Sequence, residues 1–427
     1  MKAQNQVKKT NNRWIIAIFM WAAIAINYLD RTVMSAATPD IMQNLHIGPT
    51  TMGLIMSAFF WSYASFQIPS GWLADRIGQK ICLSISVTWW SLATAFTAAA
   101  KSVFGLINAR IFMGIGEAGA YPCNAGIAAK WFPDKERGKV TALFDSGTKF
   151  GTAFAMPFVA WMVATFGWRM PFIACGALGL LWVVVWVFYY NDPEKHKYIN
   201  KQELTYIRDG QIKKEGIDKI QPMKWYELLK YRNIIAMCLG FFIFNYTMYF
   251  FITWFPAYLV DERGMHIMKM GYFAMLPPLS GIIGQWSGGI FTDYMYEKTK
   301  SLNIARKINL VGGMLLSVSI GFAAFAHSDI LAIFLLCLCY AGLAFAASAI
   351  WSLPGDIAPR NMTSVLGGIQ NTASNCGGII GPIVNGLIIG ATGSYVIALL
   401  VSGICCFITA LIYMFMLKDI KPIEIKI

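Results

Sequence analysis

Read for runs of apolar residues, the chain divides into twelve stretches of about 20 residues, the length a helix needs to cross a bilayer. They cover 14–37, 52–72, 81–100, 103–127, 140–165 and 170–190, then 234–258, 271–291, 309–326, 330–351, 364–389 and 394–417. The ten-residue alternation of a transmembrane β-barrel strand is absent. The pattern predicts an all-α membrane protein. The first run continues into Asp30 and Arg31 and is too long for the apolar segment of a cleaved signal, so it reads as a span.

One long polar stretch, 191–233, interrupts the pattern and carries ten Lys/Arg residues. It divides the chain into an N-terminal bundle of six helices (1–190), a linker, and a C-terminal bundle of six (234–427). With the N-terminus inside, 28 Lys/Arg fall on the inner side and 4 on the outer. That bias predicts a multi-pass protein of the cell (inner or plasma) membrane with both termini and the linker cytoplasmic. It also accounts for most of the +13 net charge, so the basic balance speaks for orientation in lipid and against nucleic acid as a partner.

Composition removes several other classes. Only 13% of residues are charged and 57% are apolar, with a mean hydropathy of +0.53, too little polar surface for soluble domains. All nine cysteines lie in apolar runs without metal-ligand spacing, and the four histidines fall in loops or at span ends. No metal site or cofactor is expected. A membrane-embedded enzyme would want a nucleophile–base cluster, which the spans lack. No phosphate-binding G-x-x-x-x-G-K-[ST] loop is present to drive a primary pump.

Gly71 and Asp75 stand where the second span joins the third, and Gly289 and Asp293 where the eighth joins the ninth, both pairs offset by 218 residues. Such a repeat predicts two similarly oriented halves with a site between them near the bilayer midplane. Ionisable residues inside spans are functional candidates by default, because each one opposes insertion. Six occur, all in the first half: Asp30, Arg31, Arg110, Glu117, Asp145 and Lys149. Arg31 offers a planar fork suited to a carboxylate. Asp30 points about 100° away from it and is free to face span 4. Arg110 and Glu117 are seven apart and either bracket a site or both reach span 1; Glu117 is a candidate for carrying a proton. Asp145 and Lys149, four apart, share one face as a neutral pair or, with Lys149 reaching deeper, as an anion contact.

Gly71, Asp75, Arg76, Gly78, Gln79 and Lys80 form a loop that resembles the G-x-x-x-D-R-x-G-R-[RK] motif of the major facilitator superfamily. Narrower features are Asn27 to Arg31, the Ser57 to Trp72 segment with Tyr63 and Gln67, Arg110 with Glu117 and Tyr121, Trp131 to Arg137, and Trp254 to Leu259. Together they resemble the anion:cation symporter family, which includes galactonate and glucarate permeases and sialin-type carriers. The resemblance implies two six-helix bundles rocking about a central cavity. It implies secondary active transport by alternating access, a proton-coupled symport of an organic anion into the cytoplasm. A sugar acid such as an aldonate, aldarate or hexuronate is the expected substrate, and the protein is expected to be a monomer. The alternative is a uniporter or exchanger of a dicarboxylate or aromatic carboxylate.

On the same footing, Asp30 and Glu117 are expected to carry protons. Arg31, Tyr28, Tyr63, Arg110, Thr148, Lys149, Ser348, Trp351 and Asn371 are expected around the substrate. Asp75, Arg76, Arg137 and Asp293 are expected to form a cytoplasmic gate. Thr148 and Lys149 depart from the family, which tends to have Gln and then an apolar or aromatic residue there.

Overall fold

The computed structural model describes residues 10–211, 225–359 and 362–423, and among them every regular element is helical. The twelve expected spans are present. Span 1 is Asn12–Ala36, span 2 Pro49–Ile77, span 3 Gln79–Thr97, span 5 Asp134–Phe166 and span 6 Arg169–Tyr189. Span 4 is two helices, Val103–Glu117 and Ala120–Trp131, broken immediately after Glu117. In the second half, span 7 is Arg232–Thr253, and span 8 joins Ile267–Ala274 to Leu276–Thr299. Span 9 is Leu302–Ser317 with Ser319–Ala323, span 10 Asp329–Ile350, span 11 Thr363–Thr392 and span 12 Val396–Leu411. Eight helical segments are long and apolar enough to cross a membrane by length and composition alone. Spans 2, 3, 4 and 8 are not among them. Small and polar residues dilute their hydropathy, and interhelical packing needs those residues more than it needs bulk apolar surface.

The repeat in the sequence is a repeat in the packing. In each half the first span packs on the fifth, the second on the fourth and the third on the sixth. Glycines make the closest of these approaches possible. A Cβ on Gly116 of span 4 would press on the backbone nitrogen of Trp90 in span 3 at 2.7 Å. The linker is partly ordered, with a short helix at Lys201–Asp209 docked under the first bundle. Its Glu203 accepts from the backbone N–H of Asn12 and Arg13 and from the Arg13 guanidinium, capping the start of span 1 from outside. The middle of the expected linker, 212–224, lies outside the described residues.

The bundles meet chiefly through spans 2 and 11 and spans 5 and 8. Thr50 Oγ1 donates to the Gly386 carbonyl (3.3 Å), Ser57 Oγ to the Ile379 carbonyl (2.7 Å) and Asn371 Nδ2 to Gln67 Oε1 (2.6 Å). Gly271 of span 8 lies against the backbone of Met156 and Pro157 in span 5. The Thr50, Ser57 and Gly271 contacts lie from mid-depth to the end opposite the termini, and the Asn371–Gln67 bond lies somewhat nearer the termini. Towards the termini, no further cross-bundle hydrogen bond occurs among the described residues, and Ile68, Trp72 and Trp351 are exposed. The crevice between the bundles is therefore sealed at one end and open at the end that carries the termini and the linker.

Candidate functional site

Span 1 delivers Asn27, Tyr28, Asp30 and Arg31 to the middle of the first bundle, with Arg31 only 5% exposed. Its Nε donates to Glu117 Oε2 at 2.6 Å, and Glu117 is fully buried. Of the two readings open for Arg110 and Glu117, only Glu117 reaches the span 1 arginine. Arg110 instead lies 4.9 Å from the Phe59 ring and donates to Met113 Sδ. The break in span 4 after Glu117 sets this carboxylate at a helix end, where Gly114 lets span 4 press on Phe59 and Ser62 of span 2.

Arg31 is boxed by aromatic faces. Its guanidinium carbon lies 4.8 Å from the Tyr28 ring, 4.6 Å from Phe59 and 4.7 Å from Tyr63. Phe59 is thus shared between two arginines. Ring faces carry negative potential and stabilise such cations where water is excluded. Several charged and polar atoms remain buried without a hydrogen-bond partner among the described residues: Arg31 Nη2, Arg110 Nε, Glu117 Oε1, both Asp30 oxygens and the Asn27 amide. Buried polar groups are nearly always satisfied, so a cluster of exceptions marks a working site. Asp30 does face span 4: the charges that act on it are Glu117 and Arg110, and Trp90 lies beside it.

A second group adjoins the first. Tyr121 Oη donates to Asp145 Oδ1 at 3.1 Å, and Lys149 Nζ stands 3.7 Å from Asp145 Oδ2. Tyr28 neighbours Tyr121 and Asp145, linking this group to Arg31. Thr148 is buried one residue before Lys149.

The second bundle is less uniform. Tyr249 of span 7 reaches the site through Phe60, their rings 4.5 Å apart, and also neighbours Tyr28, Arg31 and Tyr63. Asn371 forms the cross-bundle bond to Gln67. Trp351 is exposed at the open end against Phe241. Ser348 departs from the expected position at the ligand. It donates to the Phe345 carbonyl of its own helix (2.8 Å) and accepts from Asn309 of span 9 (3.3 Å), so it faces its own bundle. Among the described residues no ion pair joins the expected gate residues: Arg137 pairs with Asp134, and Arg76 lies over the Trp72 ring.

Phe59, Gln67, Tyr121 and Tyr249 were not expected as site residues. Tyr121 had a signal, one turn after Glu117. Tyr249 had none, being one aromatic among several in span 7.

The sequence model of the major facilitator superfamily matches residues 20–382. The chain belongs to the major facilitator superfamily. As a member it is a multi-pass membrane transporter and not an enzyme. Over 99% of its length it is 36% identical to a protein of Escherichia coli (strain K12) described as "Probable galactarate/D-glucarate transporter GudP", covering 97% of that protein. It is 33% identical over 98% of its length to the D-galactonate transporter of Escherichia coli O6:H1, covering 99% of it. Among solved structures, a bacterial homologue of the human lysosomal transporter Spinster superposes with a TM-score of 0.76. That match is at 17% identity and covers 95% of this chain and 97% of the other. It shows that this superfamily member shares the fold.

Proposed function

We propose that this transporter is a proton-coupled symporter that carries a sugar acid into the cytoplasm across the cell's inner membrane. The observation that carries the reading is the Arg31–Glu117 pair with Arg31 Nη2 left free in an aromatic box. One buried cation faces two claimants, the Glu117 carboxylate and the carboxylate of an entering anion. Both together would leave an uncompensated negative charge in a site with little water, which is strongly unfavourable. A proton on Glu117 removes the conflict and releases Arg31 to the substrate. Asp30, beside Arg110 and Glu117, is the second proton carrier in this reading.

In this reading Tyr28, Tyr63, Thr148, Lys149, Asn371 and Trp351 surround the bound anion, and Arg110 supports Phe59, whose ring it approaches to 4.9 Å. Both termini lie in the cytoplasm, following the Lys/Arg bias, so the open crevice is the inward-facing state of a monomer. Asp75, Arg76, Arg137 and Asp293 would close it when the bundles rock the other way. The sugar-acid assignment draws on the names given to the relatives.

The test is uptake of labelled galactarate, glucarate, galactonate and hexuronate by proteoliposomes under an inward proton gradient, with and without a protonophore. Accumulation of at least one of them, abolished by the protonophore and indifferent to sodium, is expected. Accumulation that persists after the proton gradient collapses refutes the symport.

A further inference from the structure

The ion pairs that fasten helices in this protein are hydrogen-bonded. Arg13–Glu136, Lys269–Asp329 and Arg306–Asp356 all close to 2.9 Å. Lys149 is different. Its ammonium makes no hydrogen bond to the described residues, and its ionic partner Asp145 stands off at 3.7 Å, beyond hydrogen-bonding range. Asp145 is engaged elsewhere, accepting from Tyr121. A lysine in a span, 18% exposed and with three unused donors, stabilises the fold little and is available to a ligand.

Its position matches that availability. Gly147 and Gly151 lie against Trp21 and Ala25 of span 1, which puts Lys149 within about one helical turn of the level of Tyr28. Lys149 and Asp145 occupy the opposite side of span 5, turned from span 1. Tyr28 and Tyr121 stand between this pair and Arg31. The site therefore has two cationic poles, Arg31 and Lys149, on either side of two tyrosines. The spans of the second bundle contribute no charged residue of their own at this depth.

We propose that Lys149 is a second anion-binding group, and that the transported sugar acid has two carboxylates, one held by Arg31 and the other by Lys149. This rests on the reading of Arg31 as the anchor of a carboxylate. In the empty site Asp145 balances the lysine from a distance. On binding, the ammonium turns to the second carboxylate, and Asp145 keeps its hydrogen bond from Tyr121. A monocarboxylate such as an aldonate would engage Arg31 alone.

Binding of galactarate and glucarate (two carboxylates) is compared with galactonate and gluconate (one) by calorimetry on the purified full-length protein. The wild type is expected to favour the dicarboxylates by about tenfold or more, the worth of one charge-assisted hydrogen bond. Lys149→Met should erase that preference by weakening the dicarboxylates alone. Lys149→Arg should retain it, and Asp145→Asn should retain or enlarge it by removing the competing carboxylate. Equal wild-type affinity for the two classes overturns the proposal, as does an unchanged preference in a folded Lys149→Met protein. If Lys149→Met does not fold, Asp145→Asn decides: a lost preference there overturns the proposal. The reading of Arg31 fails separately, when Arg31→Lys binds both classes as the wild type does.

Discussion

Replacing Arg31 by lysine keeps the charge and removes the fork. The arginine presents Nε to Glu117 at 2.6 Å while Nη2 remains unpartnered, so one side chain serves two directions. Lysine has a single nitrogen on a longer flexible stem. Once Glu117 is protonated, the arginine can offer an entering carboxylate two parallel N–H donors, where lysine offers a single point charge. One charge-assisted hydrogen bond is lost, about 1.5–3 kcal/mol. That corresponds to about a ten- to hundredfold rise in Kd. The stacking of the guanidinium among Tyr28, Phe59 and Tyr63 at 4.6–4.8 Å weakens in the same direction. Alanine is the wrong probe, because it leaves the buried Glu117 without its cation, a loss of about 3–5 kcal/mol that mixes folding with binding. The assay is calorimetric titration of the transported sugar acid into purified wild type and Arg31→Lys, with thermal unfolding as the control for integrity. A Kd within about twofold of the wild type in a folded protein removes Arg31 from the site and refutes the reasoning.

Glu117→Gln mimics a permanently protonated acid. It should abolish net accumulation and leave counterflow exchange measurable in proteoliposomes; equal loss of binding and exchange would make Glu117 structural. Gly53→Leu should block the seal opposite the termini, because a Cβ there would fall on the Pro382 carbonyl and within 3.3 Å of Gly386 Cα. Overpacking of about 1–3 kcal/mol falls on the sealed state, so uptake should drop about tenfold with yield and Tm little changed. Wild-type uptake in that variant would show that spans 2 and 11 separate there without consequence.

The twelve spans and the six charged residues within them were legible in the sequence, and four of the six, Asp30, Arg31, Arg110 and Glu117, are buried. The physical reason is that a bilayer imposes its thickness on every span and opposes every charge, so both leave a mark in the linear pattern. Asp145 and Lys149 could be paired from spacing alone, since four residues bring two side chains to one helix face. Which charge on one span meets which on another was not legible, because that depends on how neighbouring helices are rotated and how deeply they interlock. Glu117 meets Arg31, while Arg110, seven residues away on the same helix, turns to Phe59. Small residues decided such rotations: Gly114 and Gly116 let span 4 settle against spans 2 and 3. Ser348, expected at the ligand, was drawn into its own bundle by Asn309, a partner 39 residues away. Tyr249 entered the site only because Phe60 of the other bundle meets it. Composition and periodicity determined what had to be buried in lipid; the packing of helix on helix decided which of the buried polar groups would be satisfied and which would be left free for a ligand.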